Sequence, residues 1–193
     1  MTPDAAVSQR RPSGAPTAGP LAVAAAAVLV ALWAALVDAT WSRFLLDCGL
    51  GWSLLALAWI DLTRLRLPDL LTLPLLGCGL AATLLDPSGD VLSSVLGALG
   101  GYVALRLVGE TYRLLRGREG LGQGDAKLLA AGGAWLGWEA LPWVVLLAAL
   151  LGLALAVWQR ARGAALTRET ALPFGPPLAV AIWVLRLHGL PEI

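Results

Sequence analysis

Seven apolar runs, separated by short polar breaks, constrain this chain more than any other feature of its sequence. Most of them have 16–18 residues, close to the minimum for a helix that crosses a hydrocarbon core about 30 Å thick. Backbone groups in lipid must form their hydrogen bonds within the segment, so the runs are predicted to be α-helices. They are Leu21–Val37, Phe44–Ile60, Leu70–Leu85, Val91–Val108, Ala126–Trp138, Leu141–Trp158 and Pro177–Leu190.

The composition supports an all-α, polytopic membrane protein. Charged residues make up only 14% of the chain, against about 25% in soluble domains, too few to cover a surface that faces water. The formal net charge of +1 gives no sign of a nucleic-acid partner. His188 is the only histidine, and Cys48 and Cys78 lie 30 residues apart. No metal site, cofactor or disulfide framework is therefore predicted.

The ends of the chain differ in character. Residues 1–20 are rich in Ala, Pro, Ser and Thr and are predicted to be a disordered cytoplasmic tail. Residues 21–193 are predicted to form one membrane domain. The first apolar run is long for a signal peptide, although Val37-Asp38-Ala39 loosely resembles a cleavage site. We expect this run to remain as a helix, with cleavage as the alternative.

Basic residues predict the orientation. If the seven runs alternate and the N-terminus lies in the cytoplasm, eleven Lys and Arg residues fall on the cytoplasmic side. Only Arg43 and Arg186 fall on the outer side, and Arg106 lies within the fourth run. This asymmetry follows the rule that positive charge stays inside.

The fifth run is anomalous because its 13 residues give only about 20 Å of helix. Either the bilayer is thinner around this run, or the start of the run is recessed below the cytoplasmic surface. Irregular backbone at a recessed start is tolerated only inside protein or beside a water-filled cavity. That start has the sequence Gly120-Leu-Gly-Gln-Gly-Asp125.

Asp61 and Asp125 are the candidates for chemistry. Asp61 ends the second run and Asp125 begins the fifth, so both are predicted at the same membrane depth. Two such carboxyl groups can share one proton: the ionised group deprotonates water and the neutral group polarises a peptide carbonyl. The alternatives are an N-cap function for Asp125 and an ion pair of Asp61 with Arg64.

Three blocks of sequence surround these residues. Asp61-Leu-Thr-Arg-Leu-Arg-Leu-Pro68-Asp69 begins the first, Gly120 to Lys127 is the second, and Pro173-Phe-Gly-Pro176 is the third. In their order and spacing they resemble the motifs of the prepilin (type IV leader) peptidases, over roughly residues 51–187. A G-x-G-D sequence alone would be weak evidence, but the three blocks together are specific.

The resemblance implies an aspartic endopeptidase of the bacterial inner membrane. Members of that family remove a basic leader from type IV prepilins or type II secretion pseudopilins at the cytoplasmic face, without a cofactor. Asp61 and Asp125 match the family's catalytic aspartates, and Gly122 and Gly124 match its loop. Residues with a possible substrate-binding or structural role are Pro68, Asp69, Lys127, Pro173, Phe174, Gly175 and Pro176.

The sequence departs from the bifunctional members of that family. Those carry an N-terminal segment with paired CxxC motifs and also methylate the new pilin N-terminus, whereas nothing here resembles that segment. A peptidase without N-methyltransferase activity is therefore expected. The competing interpretations are a small transporter or channel and a non-catalytic assembly subunit. Neither the particular prepilin nor the oligomeric state can be predicted from the sequence.

Helix ends suggest which aspartate holds the shared proton. Asp125 is predicted at a helix N-terminus, which favours an anion, and Asp61 at a helix C-terminus, which disfavours one. Asp125 is therefore expected to be the ionised partner. Separately, Gly97-x-x-x-Gly101 and Gly133-x-x-x-Gly137 predict close helix packing.

Overall fold

The computed structural model describes residues 20–37, 40–117, 122–163 and 173–190. These residues form seven α-helices and one short 3₁₀ helix, Trp138–Ala140, with no strand among them. The predicted all-α class and the seven helices are confirmed. The predicted tail, apart from Pro20, lies outside the described residues. The helices are α1 (Pro20–Val37), α2 (Trp41–Arg64), α3 (Asp69–Leu85), α4 (Val91–Arg116), α5 (Gln123–Leu136), α6 (Leu141–Ala161) and α7 (Gly175–His188).

Three segments are long and apolar enough to span a membrane: Trp41–Arg64, Val91–Arg116 and Trp138–Ala161. α2 and α4 extend beyond their apolar runs, because polar residues continue the helix at the ends. In α4, Glu110 bridges Arg106 at 3.2 Å and Arg113 at 2.8 Å, which supports the additional turns. α2 ends at Arg64, so the predicted end of the second run at Ile60 is wrong by one turn.

Local chemistry fixes the ends of α2 and α4. α2 stops at Leu65, which adopts a left-handed conformation (φ 51°), and Pro68 follows soon after. α4 begins after Asp90, whose side chain accepts a hydrogen bond of 3.1 Å from the Ser93 amide. It ends at Gly117 with φ 68°, a conformation that glycine adopts without strain. Asp90 is therefore the N-cap of α4.

The short helix α5 lies at the centre of the bundle. It packs against α3, α4, α6 and α7, and every residue from Asp125 to Trp135 except Lys127 is buried. Its 14 residues span about 21 Å, which is shorter than the hydrocarbon core, and its first turn runs from the exposed Gln123 to the buried Asp125.

Glycines let α4 and α5 approach each other closely. A Cβ atom on Gly97 would lie 2.4 Å from the carbonyl oxygen of Gly133, and one on Gly133 would lie 2.2 Å from that of Gly97. Gly101 faces the Leu129 carbonyl in the same way, at 2.9 Å. The predicted packing through small residues is confirmed for this helix pair.

Candidate active site

Asp61 and Asp125 come together at one end of the bundle. Asp61 lies in the last turn of α2 and is 6% exposed, and Asp125 lies in the first turn of α5 and is 7% exposed. The segment that follows Asp61 contacts the residue before Asp125, because a Cβ atom on Gly124 would lie 2.7 Å from Cβ of Leu67. Two carboxyl groups that are both buried at the same end of a bundle cannot easily ionise together, so one shared proton is the favourable state.

Asp61 is held by α7. The backbone N–H of Gly175, the first residue of α7, donates to Oδ2 of Asp61 at 3.0 Å. The approach is so close that a Cβ atom on Gly175 would lie 2.6 Å from the same oxygen. Asp61 forms no ion pair with Arg64 within the described residues, so the proposed pairing with that arginine is not found.

Asp125 is the third residue of α5. Gly122 is the N-cap, so the alternative in which Asp125 itself caps the helix is wrong. Instead, Asp125 accepts a hydrogen bond from the backbone of Gly122, in the manner of the third residue of a capping box. The sequence misplaced the helix start because Gln123 and Gly124 are polar or small and do not extend the apolar run.

These contacts remove the basis for assigning the proton from helix ends. α2 continues for three residues past Asp61, and the Asp61 carboxyl group lies at the N-terminus of α7. Asp125 also lies at a helix N-terminus. The fields at the end of α2 and at the start of α7 therefore oppose each other at Asp61, and the assignment of the shared proton stays a prediction.

Gly124 fits against the link between α2 and α3. A Cβ atom at this position would lie 2.7 Å from Cβ of Leu67. This contact joins the segment after Asp61 to the residue before Asp125, so the glycine loop draws the two aspartates together. Gly122 and Gly124 thus lie where the sequence placed the supporting loop.

Lys127 and Asp69 form an ion pair between the starts of α5 and α3. Asp69 is the first residue of α3, and Pro68 precedes it at the N-cap position. Asp69 therefore does not cap α3 itself. The ion pair fixes the relative positions of two helix starts, and it keeps Lys127 engaged with Asp69.

The third block leads into α7. Phe174 is its N-cap residue and Pro176 lies in its first turn. Phe174 and Pro177 face Gly152 of α6, with a Cβ on Gly152 lying 3.9 Å from each. Pro173, just before, is half-buried. The contact of Gly175 with Asp61 could not be predicted from the sequence, because 114 residues separate them.

A small cleft lies between α4 and the start of α5. Arg106, Glu110 and Arg113 line one side, and Gly122 and Gln123 line the other. Because Gly122 also contacts Asp125, the cleft reaches the backbone that holds this carboxyl group. The described residues contain no group of three His, Cys, Asp or Glu side chains that could hold a metal ion.

Comparisons with known proteins agree with this geometry. Residues 48–157 match the model of the type IV leader peptidase family. Proteins named prepilin leader peptidase/N-methyltransferase are similar: that of Aeromonas hydrophila is 46% identical over 72% of this chain. Those of Dickeya chrysanthemi and Pseudomonas aeruginosa are 52% identical over 65% and 44% identical over 72%.

The match covers only part of each relative. This chain spans about half of their length: 48% of the Aeromonas protein, 44% of the Dickeya protein and 48% of the Pseudomonas protein. No solved structure matches significantly. Asp61 and Asp125 both lie within the residues that the family model matches.

Proposed function

Because the chain belongs to the type IV leader peptidase family, we propose that it is an aspartic endopeptidase with Asp61 and Asp125 as its catalytic pair. The observation that carries this proposal is the placement of both carboxyl groups. Both are buried, and the glycine loop and the α7 amide hold them at the same end of the bundle. We assign the membrane peptidase domain to residues 21–193 and a cytoplasmic tail to residues 1–20.

The reaction needs only these two groups and water. The ionised carboxylate takes a proton from water as the water oxygen bonds to the scissile carbonyl carbon. The neutral carboxylic acid gives its proton to the carbonyl oxygen, which forms a neutral tetrahedral diol. The group that took the proton from water, now a carboxylic acid, then protonates the leaving nitrogen and the C–N bond breaks. The other group, now a carboxylate, takes a proton from the diol. No covalent intermediate, metal or cofactor takes part.

The proposed substrates are prepilins or pseudopilins, with a short basic leader ahead of an apolar helix. Such a helix can approach the enzyme through the lipid, since the faces of α1 and α4 that point away from the bundle carry exposed apolar side chains. The bond to be cut then lies at the end of the bundle that holds the dyad. We place this end at the cytoplasmic face of the bacterial inner membrane.

The competing interpretations have less support. A transporter would use buried acids to relay ions, but the family match does not favour this function. A non-catalytic assembly subunit would tolerate loss of an aspartate, and both are present. Absence of methyl transfer stays a prediction, and incubation of the cleaved product with a labelled methyl donor checks it.

Amidation of each aspartate tests the proposal. Asp61→Asn and Asp125→Asn preserve size but remove the titratable carboxyl group, so each should abolish cleavage of a co-expressed prepilin, read as a shortened product on a gel. Asp90→Asn is the matched control, because Asp90 is an exposed N-cap residue and asparagine caps equally well. Cleavage by either dyad variant at more than about a hundredth of the wild-type rate contradicts the mechanism, since removing one member of a catalytic unit costs far more.

A further inference from the structure

We propose that Gly175 is a positioning residue whose backbone N–H holds Asp61 in its catalytic orientation. The inference rests on the proposed peptidase function and adds a requirement on α7 to it. The hydrogen bond of 3.0 Å engages Oδ2, which leaves Oδ1 of Asp61 available to the water and to Asp125. A carboxylate fixed through one oxygen presents the other in one direction.

The start of α7 offers a single free backbone N–H group to Asp61, because its neighbours in the first turn are prolines. After the N-cap residue Phe174, the first three helical residues are Gly175, Pro176 and Pro177, and the two prolines have no N–H. The next amide, that of Leu178, is used within the helix by the Phe174 carbonyl at 3.1 Å. Gly175 therefore carries the only N–H among these first three positions, and it points at Asp61.

Glycine is also needed at this position for steric reasons. A Cβ atom would meet Oδ2, Cγ and Cβ of Asp61 at 2.6, 2.9 and 3.1 Å. These atoms belong to the catalytic carboxyl group itself, so any larger residue would displace it. The two prolines have a fixed φ that suits a helix start, which limits the local backbone conformations around the Gly175 amide.

α7 is attached to α2 at its other end as well. Arg186 donates to Oδ1 of the buried Asp47 at 2.8 Å, eleven residues beyond Gly175. The two helices are thus joined near both ends, once through a side chain and once through the Gly175 amide. The position of the amide relative to Asp61 is therefore set by the whole α2–α7 pair.

The first test adds a methyl group and keeps the N–H. Gly175→Ala should lower kcat by about 100-fold or more and leave KM within about threefold, because it displaces a carboxyl group that acts on the transition state. Gly152→Ala is the matched control, since its Cβ would make ordinary contacts of 3.9 Å with Phe174 and Pro177. The control should retain wild-type kcat and thermal stability.

The second test removes the N–H and adds no atom. Glycolic acid replaces Gly175 during cell-free translation of the full chain into lipid nanodiscs, which converts the amide to an ester. Losing a hydrogen bond to a charged group should lower kcat by about 10- to 100-fold at unchanged KM. The same replacement at Gly163, whose amide donates to Arg160 in the turn after α6, should leave kcat unchanged.

The outcomes separate this inference from the proposed function. If the Gly175 ester protein has wild-type kcat while Asp61→Asn is inactive, the positioning function is refuted and the dyad stands. A higher KM at unchanged kcat would also refute it, because Gly175 would then act in substrate binding. If Asp61→Asn still cleaves, the proposed dyad itself has failed. A drop in kcat alone, with Asp61→Asn inactive, supports both.

Discussion

Single glycines decide the geometry of this site, and Gly124 is the clearest case outside α7. Gly124→Ala would place a Cβ atom 2.7 Å from Cβ of Leu67, an atom fixed to the backbone that cannot swing aside. The loop that carries Asp125 would then separate from the segment after Asp61. We expect cleavage to fall at least about tenfold, because misplacement by about 1 Å is costly in catalysis.

The control and the rescue for this variant lie nearby. Gly77→Ala, in α3, makes the same change where nothing lies within 4 Å and should retain full activity. Leu67→Gly removes the atom that clashes, so the double variant Gly124→Ala/Leu67→Gly should recover part of the rate. Equal rates for Gly124→Ala and wild type in the prepilin assay would show that the contact is unimportant.

The two aspartates could be predicted from the sequence, but their hydrogen-bond partners could not. Asp61 and Asp125 stand out because acids are costly at the ends of apolar runs and are seldom kept there without a function. Gly122 and Gly124 were found through the G-x-G-D pattern. Gly175 reaches Asp61 only after α2 and α7 pack, and no local pattern indicates which backbone amide will do so.

At the scale of helices, contacts around one partly buried ion pair join four elements far from the dyad. Arg186 of α7 pairs with the buried Asp47 of α2, and its guanidinium lies 5.6 Å from the ring centroid of Trp135 in α5. Trp135 in turn donates to the Leu75 carbonyl of α3 at 2.9 Å. α2, α3, α5 and α7 are therefore linked at this level of the bundle.

Arg186→Leu should destabilise the protein by about 3 kcal/mol or more, because it leaves the Asp47 charge buried without its partner. The double variant Asp47→Leu/Arg186→Leu removes both charges and should recover much of the loss. Thermal unfolding of the purified variants in detergent measures both effects. If the losses of stability from Arg186→Leu and from Asp47→Leu simply add in the double variant, the interaction between the two side chains contributes nothing to stability.

The existence of each helix could be predicted from the sequence more reliably than its ends. Apolar runs mark where lipid or protein covers a segment, so all seven helices were found. The ends depend on caps and charge ladders: Glu110 with Arg106 and Arg113 extends α4, and Gly122 starts α5. Because polar residues do not extend an apolar run, the second and fourth runs are shorter than the helices α2 and α4.

The distribution of charge over the whole molecule predicts how it sits in the membrane. The end of the bundle that holds the dyad carries seven of the described basic residues, and the opposite end carries two, Arg43 and Arg186. The end with the excess is expected in the cytoplasm. The seven are Arg64, Arg66, Arg113, Arg116, Lys127, Arg160 and Arg162.

Cysteine labelling from outside the cell tests this orientation. Ser88, in the α3–α4 turn, and Arg116, at the end of α4, are both exposed and lie at opposite ends of the 26-residue helix α4. Single cysteines at these positions are made in a Cys78→Ala background, because Cys78 is exposed, whereas Cys48 is buried. Arg118, the other position expected on the cytoplasmic side, lies outside the described residues.

An impermeant maleimide should modify Ser88→Cys in intact cells and should modify Arg116→Cys only after the membrane is opened. The reason is that α4 is long enough, at about 39 Å, to place its two ends on opposite sides of the hydrocarbon core. Each single-cysteine variant serves as the control for the other, since both cysteines should react once the membrane is opened. The reverse pattern would put Asp61 and Asp125 at the outer face. A leader that stays in the cytoplasm could not reach them there, so the proposed substrate would be wrong even if the dyad were active.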